Sequence, residues 1–396
     1  MRSHSISRSM SAIILVVLAL AATLGIVTTY YHISSPMIST NVKNNEPEIT
    51  MINSETDPEN VDVLNILLAG YGWYWSIPPG QKNNAQIVAE ALNGTVIEGA
   101  KVYAIVMPVT WYGALQPVVK AIDEIDPEIV LGIGTSPRSP GLRWEKYGCN
   151  YMTSYHDSAF PVPVSVEHLR PIDPNGPELQ EVSFPVEIAA AADLEAGIPA
   201  KVGSYYVKDD RKISTAGTYL CNYFTYTIPR YVELKGLDIL AGFVHIPQRS
   251  LYAAMDYAQG RVEDLYPNMP IETIIEGVKI GLKEVIRRVY GPANFRFSDL
   301  TITPSEPVLG KPVKISVTVT NLSPGNFARV AVVKLLVFNE VKAVKEVTLK
   351  PGESKTVTFE IIPDSPATYL INVGGLIKTF TPKMPEKIPA EELLSG

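Results

Sequence analysis

The sequence predicts an α/β protein: an open, mostly parallel sheet with helices on both faces, followed by an all-β immunoglobulin-like sandwich and preceded by one transmembrane helix. Three observations predict it. Between residues 62 and 291, short apolar strand-like runs alternate with helical patterns. After Pro292 the pattern changes to two-residue alternation with turn signals every eight to twelve residues. From Ser11 to Tyr30 the chain reads SAIILVVLALAATLGIVTTY, an uncharged run of about 20 residues.

With 396 residues the chain is long enough for two domains, each with a real core. Hydrophobic residues at 46% and charged residues at 19% exclude a disordered chain. The net charge of -7, with Lys and Arg scattered singly, excludes a nucleic-acid partner.

At about 1.5 Å per residue, residues 11–30 span a hydrocarbon core as a helix. Arg2 and Arg8 precede them, and Glu46, Glu48, Glu55 and Asp57 follow. The positive-inside bias then makes residues 1–10 a cytoplasmic tail and puts the rest outside, with membrane lipid as a partner. The competing reading is a cleaved signal peptide, whose apolar stretch usually runs roughly 7–15 residues. Both readings export the body. Residues 31–61, polar and without periodicity, read as a flexible tether.

The next expected domain covers 62–291. VDVLNILLAG, KVYAIVMPV, EIVLGIG and LDILAGFVHIP read as buried strands. AQIVAEALNG, PVEIAAAADLEAGI and IETIIEGVKIGLKEVIRRVYG read as helices, as does WYGALQPVVKAIDEI with an interruption at Pro117. Sites in such sheets form at the carboxyl ends of strands, so the loops after Gly70, Gly134 and Val244 should hold the chemistry.

Three residues there could make a thiol triad. Cys221 lies in STAGTYLCNYFTY, where small residues permit a tight turn before a helix start, a position that favours a thiolate. His245 ends a buried strand, and Glu145 follows the EIVLGIG strand. A nucleophile, a base and an orienting carboxylate at three strand ends would suit acyl transfer. Taken singly, the cysteine suits an inert core, the histidine a structural hydrogen bond, and the glutamate beside Lys146 a solvated surface.

TAGTYLCN, GFVHIP downstream and WEKYGCN upstream resemble type I pyroglutamyl peptidase, over about 63–290 and in the family's order Glu, Cys, His. MPVTW, AIDEIDPEIVLGIG and FPVEI with AGIPA extend the likeness. The resemblance implies an open-sheet peptidase that removes N-terminal pyroglutamate from peptide substrates. It makes Cys221 the nucleophile, His245 the general base and acid, and Glu145 the residue orienting the imidazole. It calls for no metal or organic cofactor.

The chain departs from that pattern around the substrate pocket. The family's Gly-Phe-acid-Pro-Phe-Gly loop is here Gly70 to Trp75, keeping aromatics at Tyr71 and Tyr74. Its Asn-Pro becomes Asn83-Asn84, and the Arg-Ile-Pro-Asp-Asn run is missing after Asn150. The stretch from Gly132 to Glu145 is slightly long, and SYYVKDDRKIS reads as an insertion before the nucleophile motif. Tyr71, Tyr74, Tyr219 and Leu220 are the expected substrate-binding residues. Cys149 is expected as a buried free thiol, with a Cys149–Cys221 bridge as the alternative that would abolish thiol chemistry.

KISVTVTN, VAVVKLLVFN, KTVTFEIIP and TYLINVGG read as sandwich strands within 296–380, before a polar tail over 381–396. TNLSPG and LKPGES resemble cell-adhesion-related domains, which implies a spacer or stabilising module. Asn93 and Asn321 lie in glycosylation-type triplets. Oligomerisation stays open. Besides the peptidase, the residues admit a related amidase with a changed pocket and a non-catalytic binding or adhesion protein on the same scaffold.

Overall fold

In the computed structural model the strand β1 (Asn65–Tyr71) is buried along almost its whole length, as its unbroken apolar run requires. The structure describes residues 62–74, 77, 80–111, 113–136, 139–153, 169–248 and 269–385. The expected anchor over 11–30, its cytoplasmic tail and the tether over 31–61 lie outside these residues. Among the described residues, no helix is long and apolar enough to cross a membrane.

Helix α1 (Asn84–Leu92) follows β1, with Asn83 Oδ1 accepting from the Ala85 N–H at 3.1 Å as its cap. The short β2 (Val96–Ile97) and β3 (Ala100–Met107) lead to α2 (Gln116–Ile125) and β4 (Ile129–Ser136). The helix expected from Trp111 with a break at Pro117 starts instead at Gln116. Pro117 sits in the first turn, where a missing N–H costs no helix bond.

Next come β5 (Leu142–Glu145), β6 (Tyr147–Cys149), β7 (Leu179–Glu181), α3 (Val186–Glu195) and β8 (Ala200–Gly203). Residues 204–214 fold as a hairpin of β9 (Tyr205–Lys208) and β10 (Arg211–Ser214), turning through Asp209 and Asp210. Helix α4 (Leu220–Lys235) runs from the nucleophile motif to a left-handed Gly236, and β11 (Leu240–Pro247) and α5 (Ile271–Val289) close the region.

The central sheet has seven strands in the order β2-β3-β1-β4-β11-β5-β8. Its inner strands β3, β1, β4 and β11 are parallel, while β5 runs antiparallel to β11. Helices α1, α3 and α5 pack together on one face, and α2 and α4 cover the other. One continuous apolar core fills both layers. The carboxyl ends of β1, β4 and β11 therefore open on one side.

The remaining strands are β12 (Phe295–Thr303), β13 (Val313–Asn321), β14 (Arg329–Val337), β15 (Glu340–Leu349), β16 (Ser354–Ile361), β17 (Tyr369–Val373) and β18 (Leu376–Phe380). They make antiparallel sheets of three and four strands, ordered β12-β13-β16 and β15-β14-β17-β18. Alternate residues such as Val313, Ile315, Val317, Leu335, Phe359 and Ile371 fill the core between them. Strand β15 escaped the sequence reading because both of its faces are largely exposed, so no alternation marks it. The polar tail begins with an ordered step, since Lys383 exchanges main-chain bonds with Pro307 and Leu309.

The two regions meet at the amino ends of the sheet strands, within one compact unit. The Leu64 and Ala328 N–H groups donate to the Ala328 and Asp62 carbonyls, and Val330 N–H to Gly99. Between them lies Arg329, fully buried, donating to the carbonyls of Glu98, Tyr290 and Gly291 at 3.1, 2.6 and 3.3 Å.

Candidate active site

Cys221 is the second residue of α4, which opens on an extended Tyr219 without a side-chain cap. The first N–H groups of any helix have no partner within it, so the sulfur sits beside backbone donors that the helix itself does not use. It lies over β4 at Gly134, where a β-carbon would fall 2.8 Å from Sγ and 2.6 Å from the Phe243 ring. Gly134 is the register partner of His245. The buried imidazole and the Cys221 sulfur are thereby set over the same point of β4.

Glu145 comes from the next strand and is fully buried. Its Oε1 lies 2.7 Å from His245 Nδ1, which orients the ring with its other nitrogen toward the thiol. Thr215 Oγ1 donates to Oε2 at 2.5 Å. Gly203 on β8 leaves the space for this carboxylate, since a β-carbon there would fall 2.0 Å from Oε2. Arg143 completes the cluster, its Nε donating to Oε1 at 2.5 Å.

Burial opposes ionisation of Glu145, but the His245 hydrogen bond, Arg143 and Thr215 outweigh it and hold the carboxyl below its ordinary range. Burial likewise works to push the imidazole down. The facing Cys221 sulfur and Glu145 reverse this and push His245 up to about 9. The arrangement therefore favours an imidazolium held on the Glu145 carboxylate and facing the Cys221 sulfur, which is suited to activating a thiol and then protonating a leaving group.

Buried asparagines hold the frame. Asn222 takes the Cys149 N–H at 2.8 Å and donates to the carbonyls of Cys149 and Tyr151, locking the start of α4 to β6. Asn83 Nδ2 donates to the Gly72 carbonyl at 2.9 Å and its Oδ1 accepts from Thr135, while Asn84 donates to Pro247 at 2.8 Å. These two residues, which stand where the family has Asn-Pro, tie together the ends of β1, β4 and β11.

The residues expected in the pocket divide. Tyr71 is buried, and its phenol donates to the Leu220 carbonyl at 2.5 Å. Burial, and then the nearby Cys221, raise this phenol well above its ordinary range, so it remains a donor. The Leu220 side chain lies in the core rather than at the surface. Tyr219 meets the Trp111 ring edge-on at 5.3 Å, and Trp111 also packs on Tyr223 at 5.4 Å. Tyr74 is half-buried on the loop after β1. Cys149 and Cys221 are both free thiols; burial pushes Cys149 up to about 11, and its thiol donates to the Gly217 carbonyl.

Arg143, Thr215, Asn222 and Trp111 were not singled out from the sequence. For Arg143 a signal existed, because side chains two apart on a strand share a face, and Glu145 was already a candidate.

The fold and this cysteine-centred site define a hydrolase of the thiol-peptidase class. The chain belongs to the pyroglutamyl peptidase family, whose model matches residues 64–288. Pyrrolidone-carboxylate peptidase of Mycobacterium tuberculosis is 30% identical over 223 residues, covering 56% of this chain and 92% of that protein. That of Saccharolobus islandicus is 31% identical over 223 residues, covering 56% and 95%. The crystal structure of pyrrolidone carboxyl peptidase from Pyrococcus furiosus aligns with 57% of this chain and all of its own, at 23% identity and a TM-score of 0.48. The family match ends before the all-β region.

Proposed function

We propose that the protein removes N-terminal pyroglutamate from peptides through Cys221, His245 and Glu145. The observation that carries this reading is the His245–Glu145 hydrogen bond with the Cys221 sulfur facing the same imidazole from a helix start, in a chain of this family. His245 takes the thiol proton, and the sulfur attacks the carbonyl that links pyroglutamate to the next residue. First-turn N–H groups of α4 stabilise the oxyanion. His245 then protonates the leaving amine, and water, deprotonated by His245, hydrolyses the thioester.

A related amidase is the second reading, favoured by the altered first loop: Tyr71 commits its phenol to Leu220, and Trp73 Nε1 donates to the Ile77 carbonyl at 2.8 Å. Residues 11–30 support an anchor with the catalytic region on the outer side, and the all-β region serves as an immunoglobulin-like spacer or support. The test is hydrolysis of a pyroglutamyl-coumarin amide by the reduced protein beside Cys221→Ser and Cys149→Ser. Loss in Cys221→Ser alone is expected. No hydrolysis by any form would turn the assignment toward another amide. Accessibility of the body to a protease added to intact cells tests the topology.

A further inference from the structure

Arg143 lies opposite His245 in the antiparallel register of β5 and β11. Its Nε and the His245 Nδ1 share one oxygen of Glu145, at 2.5 and 2.7 Å. Its Nη2 donates to the Thr215 carbonyl at 3.0 Å and stands 3.2 Å from His245 Nδ1. With the Nδ1 proton given to the carboxylate, this last approach sets a positive charge against the ring edge rather than making a hydrogen bond. A guanidinium is a planar, delocalised cation, so what it sets there is a charge as well as a donor fork.

We propose that Arg143 is a positioning residue of the site: as a third partner of Glu145 it keeps the carboxylate aimed at His245, and its charge makes the imidazolium a readier proton donor to the leaving amine. This rests on reading Cys221, His245 and Glu145 as the reacting set. Among the described residues, the ionisable groups facing His245 are Cys221 from α4 and Glu145 and Arg143 from β5, with Tyr71 of β1 behind the sulfur. Strand β4 contributes only Gly134 and Thr135 there. Two of these neighbours are anionic when the thiol is ionised, and both tighten the hold of the imidazole on its proton. An acid held that tightly donates poorly near neutrality. Arg143 is the one cation of the group and opposes them.

The experiment compares the full chain with Arg143→Met and Arg143→Lys. Two profiles are recorded against pH: kcat/KM on the pyroglutamyl-coumarin amide, and the rate of Cys221 alkylation by iodoacetamide. Removing a cation beside the imidazole favours the imidazolium, so Arg143→Met should move the basic limb of both profiles up by about one pH unit. It should also lower kcat by about tenfold or more with little change in KM. Arg143→Lys, which keeps the charge, should leave the limb near its original position. Should Arg143→Met not fold, Arg143→Gln, which can still donate to Glu145, carries the same expectation. Limbs that stay in place in the neutral variants overturn the proposal, whether or not activity falls. Alkylation needs no substrate. A protein that cleaves no pyroglutamyl amide would thus refute the proposed function while the alkylation profile still decides the role of Arg143.

Discussion

Two arginines sit at opposite ends of the same sheet, and their partners differ in kind. Arg329, at the amino ends of the strands, is surrounded by three main-chain carbonyls. Arg143, at the carboxyl end, shares a carboxylate oxygen with an imidazole. Carbonyl dipoles do not titrate, so the hydrogen bonds of Arg329 hold two regions together. At the other end every neighbour of the charge can gain or lose a proton, or touches a group that can. A buried cation is thus a joint in one setting and part of a proton-handling system in the other, and the partners decide which.

Substitution at the two ends should separate these roles. Glu145→Gln preserves shape but removes the charge that steadies the imidazolium, and it should lower kcat by on the order of 10³-fold. The folded state should persist, as judged by circular dichroism. Arg329→Leu should do the reverse. It takes the donor from three carbonyls, two of them in buried contacts, and should cost about 3 kcal/mol of stability in a denaturant titration. Its kcat/KM at low temperature should stay within about twofold of the parent, because the reacting groups lie at the far ends of the strands. A large rate loss in Arg329→Leu, with the fold intact, would couple the ends.

Glycines extend the contrast. Alanine at Gly203 brings a methyl to 2.0 Å from Glu145 Oε2, so the carboxylate must shift. A fall in kcat of about 10–100-fold is expected, with roughly 1–3 kcal/mol of stability lost. Alanine at Gly99 meets the Arg329 side chain at 2.9 Å in a left-handed backbone with φ of 76°. A similar loss of stability is expected there, with the pH profile of kcat/KM unmoved.

That profile carries its own prediction. The imidazole, raised from 6.5 to about 9, favours the folded state. This contribution is fully present below the ordinary histidine range and is lost as pH rises through about 9. Glu145, held low, contributes above the ordinary carboxyl range and loses its effect as pH falls through its lowered value. Activity that needs the imidazolium should therefore fall through about pH 9, and the thermal midpoint should fall over the same interval. Glu145→Gln should bring the basic limb down.

Much of the catalytic end was legible because chain order and local pattern agree there. His245 ends an apolar run that can only be a buried strand, and Cys221 follows small residues at a helix start. Glu145 was legible as a candidate, although its lysine neighbour suggested a solvated face. The flanking Trp144 and Lys146 point to the other side of a four-residue strand, and a strand that short gives no periodicity to show it. Arg143 was readable only through Glu145, as the residue two before it on the same strand face. Arg329 was out of reach: its partners Tyr290 and Gly291 are supplied by a distant turn, and a charged residue beginning the run RVAVVKLLV reads as exposed. What local sequence cannot show is which distant backbone will arrive to satisfy a charge.

Tyr71 gives the smallest and most discriminating test. Expected in the substrate pocket, it places its phenol on the carbonyl of Leu220, the residue before Cys221. Tyr71→Phe removes that donor and leaves the carbonyl its helix bond alone, a loss of about 1 kcal/mol in stability. If the phenol only steadies the start of α4, kcat should fall by no more than about threefold and KM should hold within about twofold, since no bond to substrate is removed. A phenol that held the pyroglutamyl ring would give the opposite split, with KM raised about tenfold and kcat unchanged. Tyr71 would then belong with Tyr74 as a recognition residue, and the hydrogen bond to Leu220 would be one the substrate displaces.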